Sequence, residues 1–246
     1  IETRMRQLPK RPELPARTKA RLEQATIGIA GATDKKAEAR KRYENARGAA
    51  WFRPVVDRLR QLSGPGERCM FCSGSESSEV EHYRPKSVFP ELAMTWENFL
   101  WSCGVCNLAK GNRFPPDTET GERLINPIDE NVWDFFSLDE FGNLLPKWRL
   151  DLDDLDPRAV STRNVLKLDR QLLQESRYQR RRELVQGVGD SLAQFDRGEL
   201  TMADLVERRK AWLEAPFQPD VADYYLNGPG GDQEPFARFL REIRGT

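Results

Sequence analysis

Apolar positions fall at helical spacing along two stretches of the chain, residues 17–62 and 158–244, and lose that spacing between them. Residues 17–30 predict a helix that ends at Gly31. A second helical pattern starts after Asp34, whose short carboxylate suits an N-cap because it can accept from the free amides of a first turn. Tyr43, Ala46, Ala50, Val55, Leu59 and Leu62 form its apolar stripe. Pro54 lacks the amide that a helix interior needs, so a kink or break is expected at Arg53-Pro54. Ser63-Gly64-Pro65-Gly66 ends the pattern. Ahead of these helices, Pro9, Pro12 and Pro15 punctuate a basic stretch, residues 5–16, that reads as an extended arm.

Between the helical stretches the pattern shortens. Glu79–Tyr83 has the length of one strand and stops at Pro85. Residues 85–95, with Pro85 and Pro90, read as a loop. A short helix is expected from Asn107 to Lys110, closed by Gly111. Residues 115–157 are rich in Pro, Asp, Asn and aromatics and read as irregular. Leu124-Ile125-Asn126-Pro127 and Val132-Trp133-Asp134-Phe135-Phe136 are expected to pack back onto the region before them. Helical spacing returns over 158–168, 170–196, 201–214 and 234–244, broken at Gly198, Pro216 and Gly228-Pro229-Gly230-Gly231. The pattern predicts a mainly helical α+β protein in three regions: helical 1–66, a cysteine-bearing 67–157, and helical 158–246.

Composition narrows the classes. Only 38% of the 246 residues are hydrophobic and 32% are charged, so the core is modest and much helix surface is charged. Lys plus Arg equals Asp plus Glu, 39 each. A protein that grips nucleic acid unaided usually carries a basic excess, so any such grip here is a local patch or comes from a partner. No stretch approaches the roughly 20 apolar residues that span a bilayer, and no charged-then-apolar leader opens the chain. The expected location is cytoplasmic, with no membrane partner.

Four cysteines and one histidine are all the chain has of these residue types, and all five fall between positions 69 and 106. Cys69 and Cys72 form one Cys-x-x-Cys pair, Cys103 and Cys106 the other. Two such turns complete a tetrahedral four-sulfur shell, a closed structural zinc site. In a reducing compartment that reading outweighs disulfides. The bland alternative is a free buried cysteine cluster or a redox pair.

With zinc satisfied by sulfur, His82 is released for other work. Glu81 and Asn107 are oxygen donors, which suit a hard ion such as magnesium, and magnesium keeps several waters and needs one or two protein ligands. A histidine titrating near neutrality can take a proton from an attacking water. Adjacent strand residues point to opposite faces, so Glu81 and His82 divide into ligand and base.

These residues, in the order Cys-x-x-Cys, acidic residue and His82, Asn98, Cys-x-x-Cys-Asn and Lys110, resemble the HNH endonucleases, the ββα-metal nucleases with a four-cysteine zinc support. Val80-Glu81-His82-Tyr83-Arg84-Pro85-Lys86-Ser87, Pro90-Glu91-Leu92, Trp96-Glu97-Asn98 and Lys110-Gly111-Asn112-Arg113-Phe114-Pro115 look like the PtuB-like HNH proteins of the Septu type. Leu124–Pro127 and Val165–Arg170 are similar to downstream segments of the same group. The resemblance covers residues 67–115 most closely and extends to about 180.

It implies a zinc-supported ββα-metal (HNH) module between helical flanks. It implies that His82 is the general base and that Glu81 and Asn107 hold a catalytic Mg2+ or Mn2+. Asn98 would brace the loop behind the histidine, and Cys69, Cys72, Cys103 and Cys106 would hold Zn2+. It further implies an anti-phage role beside a PtuA-like ATPase. Two departures stand out: Glu81 takes the place of a commoner aspartate, and Asn107 stands where many members have histidine, which favours magnesium or manganese over a softer, later transition-metal ion.

Arg84, Lys86, Lys110 and Arg113 crowd this segment. Such residues are usually solvated surface, and phosphate contact has equal weight here. Runs Lys35–Arg42 and Arg177–Arg182 read as charged helix faces, and Trp96, Phe99, Trp101, Trp133, Phe135 and Phe136 as core. The expected function is hydrolysis of phosphodiester bonds in nucleic acid, DNA before RNA. A non-catalytic zinc-ribbon nucleic-acid-binding module and an RNA-cleaving HNH nuclease remain the alternatives.

Overall fold

The computed structural model describes residues 11–74, 77–116, 124–215 and 218–244. Residues 5–10 of the expected arm, Pro9 among them, and the expected break at Pro216 lie outside these. The fold is α+β and mainly helical.

Helix α1 (Ala16–Ala30) ends at Gly31, and α2 (Lys35–Arg47) starts where the Asp34 carboxylate accepts from the Ala37 amide at 3.0 Å. The expected break at Arg53-Pro54 falls earlier. Helix α2 stops at Gly48, a single 3-10 turn follows, and α3 (Arg53–Ser63) begins with Pro54 in its first turn. A first-turn residue has no partner for its amide, so proline starts this helix instead of kinking one. Arg11, from the N-terminal stretch, donates to the carbonyls of Trp96, Glu97 and Phe99.

Strands β1 (Glu79–His82) and β2 (Phe99–Ser102) pair antiparallel, with His82 opposite Phe99 and Glu79 opposite Ser102. Helix α4 (Gly104–Lys110) follows directly and starts earlier than expected, because Cys103 caps it. Gly111 (φ 49) ends α4 in a backbone conformation that glycine adopts freely. The element order is thus strand, strand, helix.

Residues 136–155 are not irregular. They form two small hairpins, β3 (Phe136–Leu138) with β4 (Leu144–Pro146), and β5 (Trp148–Arg149) with β6 (Asp154–Leu155). Helices α5 (Pro157–Leu166), α6 (Gln171–Asp196) and α7 (Met202–Glu214) follow. Helix α8 (Pro219–Leu226) escaped the periodicity, since Asp220 to Leu226 are all buried and no face is polar by exposure. Helix α9 (Phe236–Arg244) closes the described chain.

Two apolar cores result. One gathers α1–α3, both strands of the β1–β2 hairpin, Leu124 and Ile128. The other gathers the four cysteines, Ile125, Trp133, β3–β4 and helices α5–α9. The β1–β2 hairpin and the cysteine turns therefore sit on the seam between the cores. Among the described residues no helix is long and apolar enough to cross a membrane.

Candidate metal centre and cleft

The first cysteine turn is closed by the Ser73 amide donating to the Cys69 carbonyl at 2.8 Å. The second is the first turn of α4, where the Cys106 amide donates to Cys103 Sγ at 3.4 Å. The hairpin joins them: the Met70 amide donates to the Trp101 carbonyl at 3.0 Å, and β2 leads straight into Cys103. All four sulfurs are buried and lie within 4.8 Å of one another. Cys72 Sγ and Cys103 Sγ are 3.9 Å apart. Two thiolates at a tetrahedral angle, each ~2.3 Å from zinc, would be about 3.8 Å apart. Cys69, Cys72, Cys103 and Cys106 are placed to bind a zinc ion.

Sequence reasoning missed Arg170. Both its terminal nitrogens lie 3.9 Å from Cys106 Sγ. Four thiolates around one divalent ion carry a net double negative charge, and a guanidinium here offsets part of it. The residue starts α6, far along the chain, and only the fold brings it to the cysteines.

Strand β1 and helix α4 face each other through two polar rungs. Glu79 and Glu81 share one face of the strand. Asn107 donates to the Glu79 carboxylate, and the Lys110 ammonium lies 2.7 Å from Glu81 Oε1. Glu79 was not singled out from the sequence, although its i, i+2 spacing from Glu81 carries the signal. Lys110 departs from expectation: its side chain is 0% exposed, and it donates at 2.7 Å to the His82 carbonyl as well. A buried, paired ammonium does not reach out to a phosphate. Burial pushes Glu81 above the ordinary carboxylate value and pulls Lys110 below the ordinary lysine value, and the attraction between them opposes both shifts.

His82 points the other way. Its ring lies between Tyr43 and Phe99, with centroids 4.6 and 5.3 Å away and steep interplanar angles. Nε2 sits 2.9 Å from the Ala93 carbonyl oxygen. A carbonyl only accepts, so Nε2 carries the proton and Nδ1 keeps its lone pair. The residue is 2% exposed. Burial, then the Lys86 charge, pull its pKa down to about 3, well below the near-neutral titration expected from the sequence, so the ring is neutral at physiological pH.

Asn98 ties the loop between the strands. Its Oδ1 accepts from the Arg84 amide at 2.7 Å, and its Nδ2 donates to the carbonyls of Arg84 at 2.9 Å and Leu92 at 3.0 Å. The Leu92 contact lies one residue from the carbonyl that holds His82.

Tyr43, Arg47, Glu79, Glu81, His82, Lys86 and Asn107 line one open cleft of about 630 Å³. Of the four basic residues singled out, Lys86 lies in it, its ammonium 5.0 Å from the Tyr43 ring centre. Arg84 stacks over Phe89 and Phe114 and lines a separate hollow with Asn98, Asp129 and Glu130. Arg113, past the end of α4, folds back to donate to the Ala109 carbonyl of that helix. The cleft's oxygen donors, Glu79, Glu81 and Asn107, suit a hard ion that keeps most of its waters. Among the described residues the four cysteines are the one group of three or more His, Cys, Asp or Glu ligand atoms that converge.

A scan against known protein families gives no match. The chain is similar to the Septu protein PtuB of Bacillus thuringiensis, 29% identical over 126 residues. The aligned part is 49% of this chain and 44% of that protein, so the chain spans less than half the length of the curated relative it matches.

Proposed function

We propose that this chain is a metal-dependent, HNH-type endonuclease that hydrolyses phosphodiester bonds in the cleft between β1 and α2, with DNA as its substrate before RNA. The observation that carries the reading is His82. Its Nε2 is committed to a backbone carbonyl, so a neutral imidazole offers Nδ1 in the cleft that also holds the oxygen donors of Glu81 and Asn107.

In this reading His82 accepts the proton of the attacking water at Nδ1, and the Ala93 carbonyl holds the tautomer that makes this possible. Asn98 fixes the loop that carries Ala93. Tyr43 and Phe99 hold the ring from two sides. Lys86 faces the incoming phosphate. A divalent ion on Glu81 and Asn107 would stabilise the charge on the phosphate and the departing 3′ oxygen. Hydrolysis in this direction leaves a 5′ phosphate. The zinc-bound cysteines hold β1, β2 and α4 together and take no part in the chemistry.

The likeness to a Septu protein supports a role in anti-phage defence. A net charge of zero supports a partner that supplies much of the hold on nucleic acid, and a PtuA-like ATPase is the partner we propose. A second reading keeps the zinc fold but removes the chemistry: a zinc-ribbon module that only binds nucleic acid. Its support is that His82 is buried and Glu81 is engaged by Lys110.

Cleavage of plasmid DNA and of RNA, with Mg2+ or Mn2+ and with EDTA, separates these readings. The nuclease reading expects metal-dependent cleavage that His82→Ala abolishes while zinc content and helicity stay unchanged. Binding without cleavage under every metal condition would favour the zinc-ribbon module. Cleavage undiminished in His82→Ala would remove the histidine from the mechanism.

A further inference from the structure

The Glu81 carboxylate, the charged member of the proposed ligand pair Glu81 and Asn107, already has a cation. Lys110 Nζ lies 2.7 Å from Glu81 Oε1 and 2.7 Å from the His82 carbonyl oxygen, wholly buried beneath the strand. The next carboxylate, Glu79, is engaged by the Asn107 amide. Lys86 places a second ammonium in the same cleft. A bare divalent ion entering there meets a carboxylate whose charge is matched, with two ammonium groups close by. Attraction between ion and site is correspondingly small.

We infer that Lys110 makes the cleft a poor site for a free divalent ion and a good one for an ion that arrives with a phosphodiester. The non-bridging phosphate oxygens supply the negative charge that Lys110 cancels. Ion and nucleic acid then bind as a pair, each tightening the other by the same factor. Lys110 is thus a positioning residue: it orients Glu81 and couples ion binding to nucleic-acid binding without touching substrate. This rests on the nuclease reading and adds to it the condition under which the site fills.

The test is Mn2+ binding to the zinc-loaded full chain, read by electron paramagnetic resonance. It is run without nucleic acid and then with a short DNA or RNA duplex, both on a His82→Ala background so that the duplex stays intact and the two affinities refer to one protein. The wild-type residue at 110 should bind Mn2+ weakly alone and on the order of tenfold more tightly with at least one duplex. Lys110→Met should bind free Mn2+ on the order of tenfold more tightly and gain less from the duplex. Lys110→Arg, which keeps the charge, should stay close to wild type.

If neither duplex tightens Mn2+ binding by the Lys110 protein, the inference falls whatever the variants do. It falls as well if a zinc-replete Lys110→Met or Lys110→Gln binds free Mn2+ no more tightly. Continued His82-dependent cleavage at high Mn2+ would leave the nuclease reading standing in either case. Absence of Mn2+ binding by every protein, with and without duplex, would overturn both.

Discussion

Asn98 closes both polar groups of the Arg84 backbone, accepting from its amide at 2.7 Å and donating to its carbonyl at 2.9 Å. One amide side chain on the second strand thereby fixes the turn that leaves the first, and its third bond, to Leu92, reaches the stretch that holds His82.

Asn98→Asp keeps the acceptor and replaces the donor with an oxygen facing two carbonyls. Urea unfolding should show a loss of about 3 kcal/mol. The displaced loop should lower the proposed nuclease activity by on the order of 100-fold while Glu81 and His82 are still present. Full stability in the variant would mean that the loop does not depend on this residue.

Each cysteine should be needed for metal and fold together. The purified chain should contain one zinc. Cys106→Ser should lower zinc content and loosen the second core, where the cysteines pack with α5 to α9. Metal analysis with circular dichroism checks this, and a zinc-free variant with native helicity and melting would show that the cysteines are ordinary core.

Arg170→Gln should weaken zinc retention without removing a ligand. Loss of the guanidinium 3.9 Å from Cys106 leaves the thiolate charge less compensated, and affinity should drop by about 10- to 100-fold. Zinc transfer to a colorimetric chelator measures it, with Arg170→Lys expected in between.

The buried pair has an asymmetric energetic signature. Lys110→Met alone strands the Glu81 carboxylate and should cost about 3 kcal/mol in metal-free buffer. Adding Glu81→Leu should restore much of that, because no uncompensated charge is left. If the double variant is less stable than the single one, the stranded Glu81 carboxylate is not what makes Lys110→Met unstable.

Acid should destabilise the fold through His82. The unfolded chain titrates at the ordinary value near 6.5, whereas the folded ring titrates at about 3. Between these values the unfolded state binds the extra proton. Stability is therefore full above about pH 6.5 and falls as pH drops toward 3, by up to roughly 5 kcal/mol from this residue. The stability difference between wild type and His82→Gln should shrink from pH 7 to pH 4. A constant difference would mean that His82 titrates alike in both states.

Local signals were the legible ones. Asp34 announces α2 because an N-cap needs nothing beyond its own turn. Glu79–Tyr83 reads as a strand because Pro85 stops it, one residue longer than β1. The two Cys-x-x-Cys turns read as one cluster because short-range geometry fixes each half. Pro54 misled because the same missing amide that breaks a helix interior is harmless in a first turn, and the sequence alone does not say which applies. Helix α8 was invisible because burial on all sides removes the periodic contrast. The hairpins of residues 136–155 were too short to alternate detectably. Lys110 and Arg170 show the deeper limit. Each looks like a surface cation in sequence, and only the packing of α4 on β1, or of α6 on the cysteines, turns it inward.

The aromatic setting of His82 has a spectroscopic consequence. Its ring lies edge-on between Tyr43 and Phe99, and the chain has no other imidazole. The C2 proton of that ring should therefore give one NMR line, moved from its free position by the magnetic anisotropy of two neighbours. A metal, nucleotide or partner that disturbs the cleft would report itself on that line without resonance assignment, isotope-edited spectra or any added label.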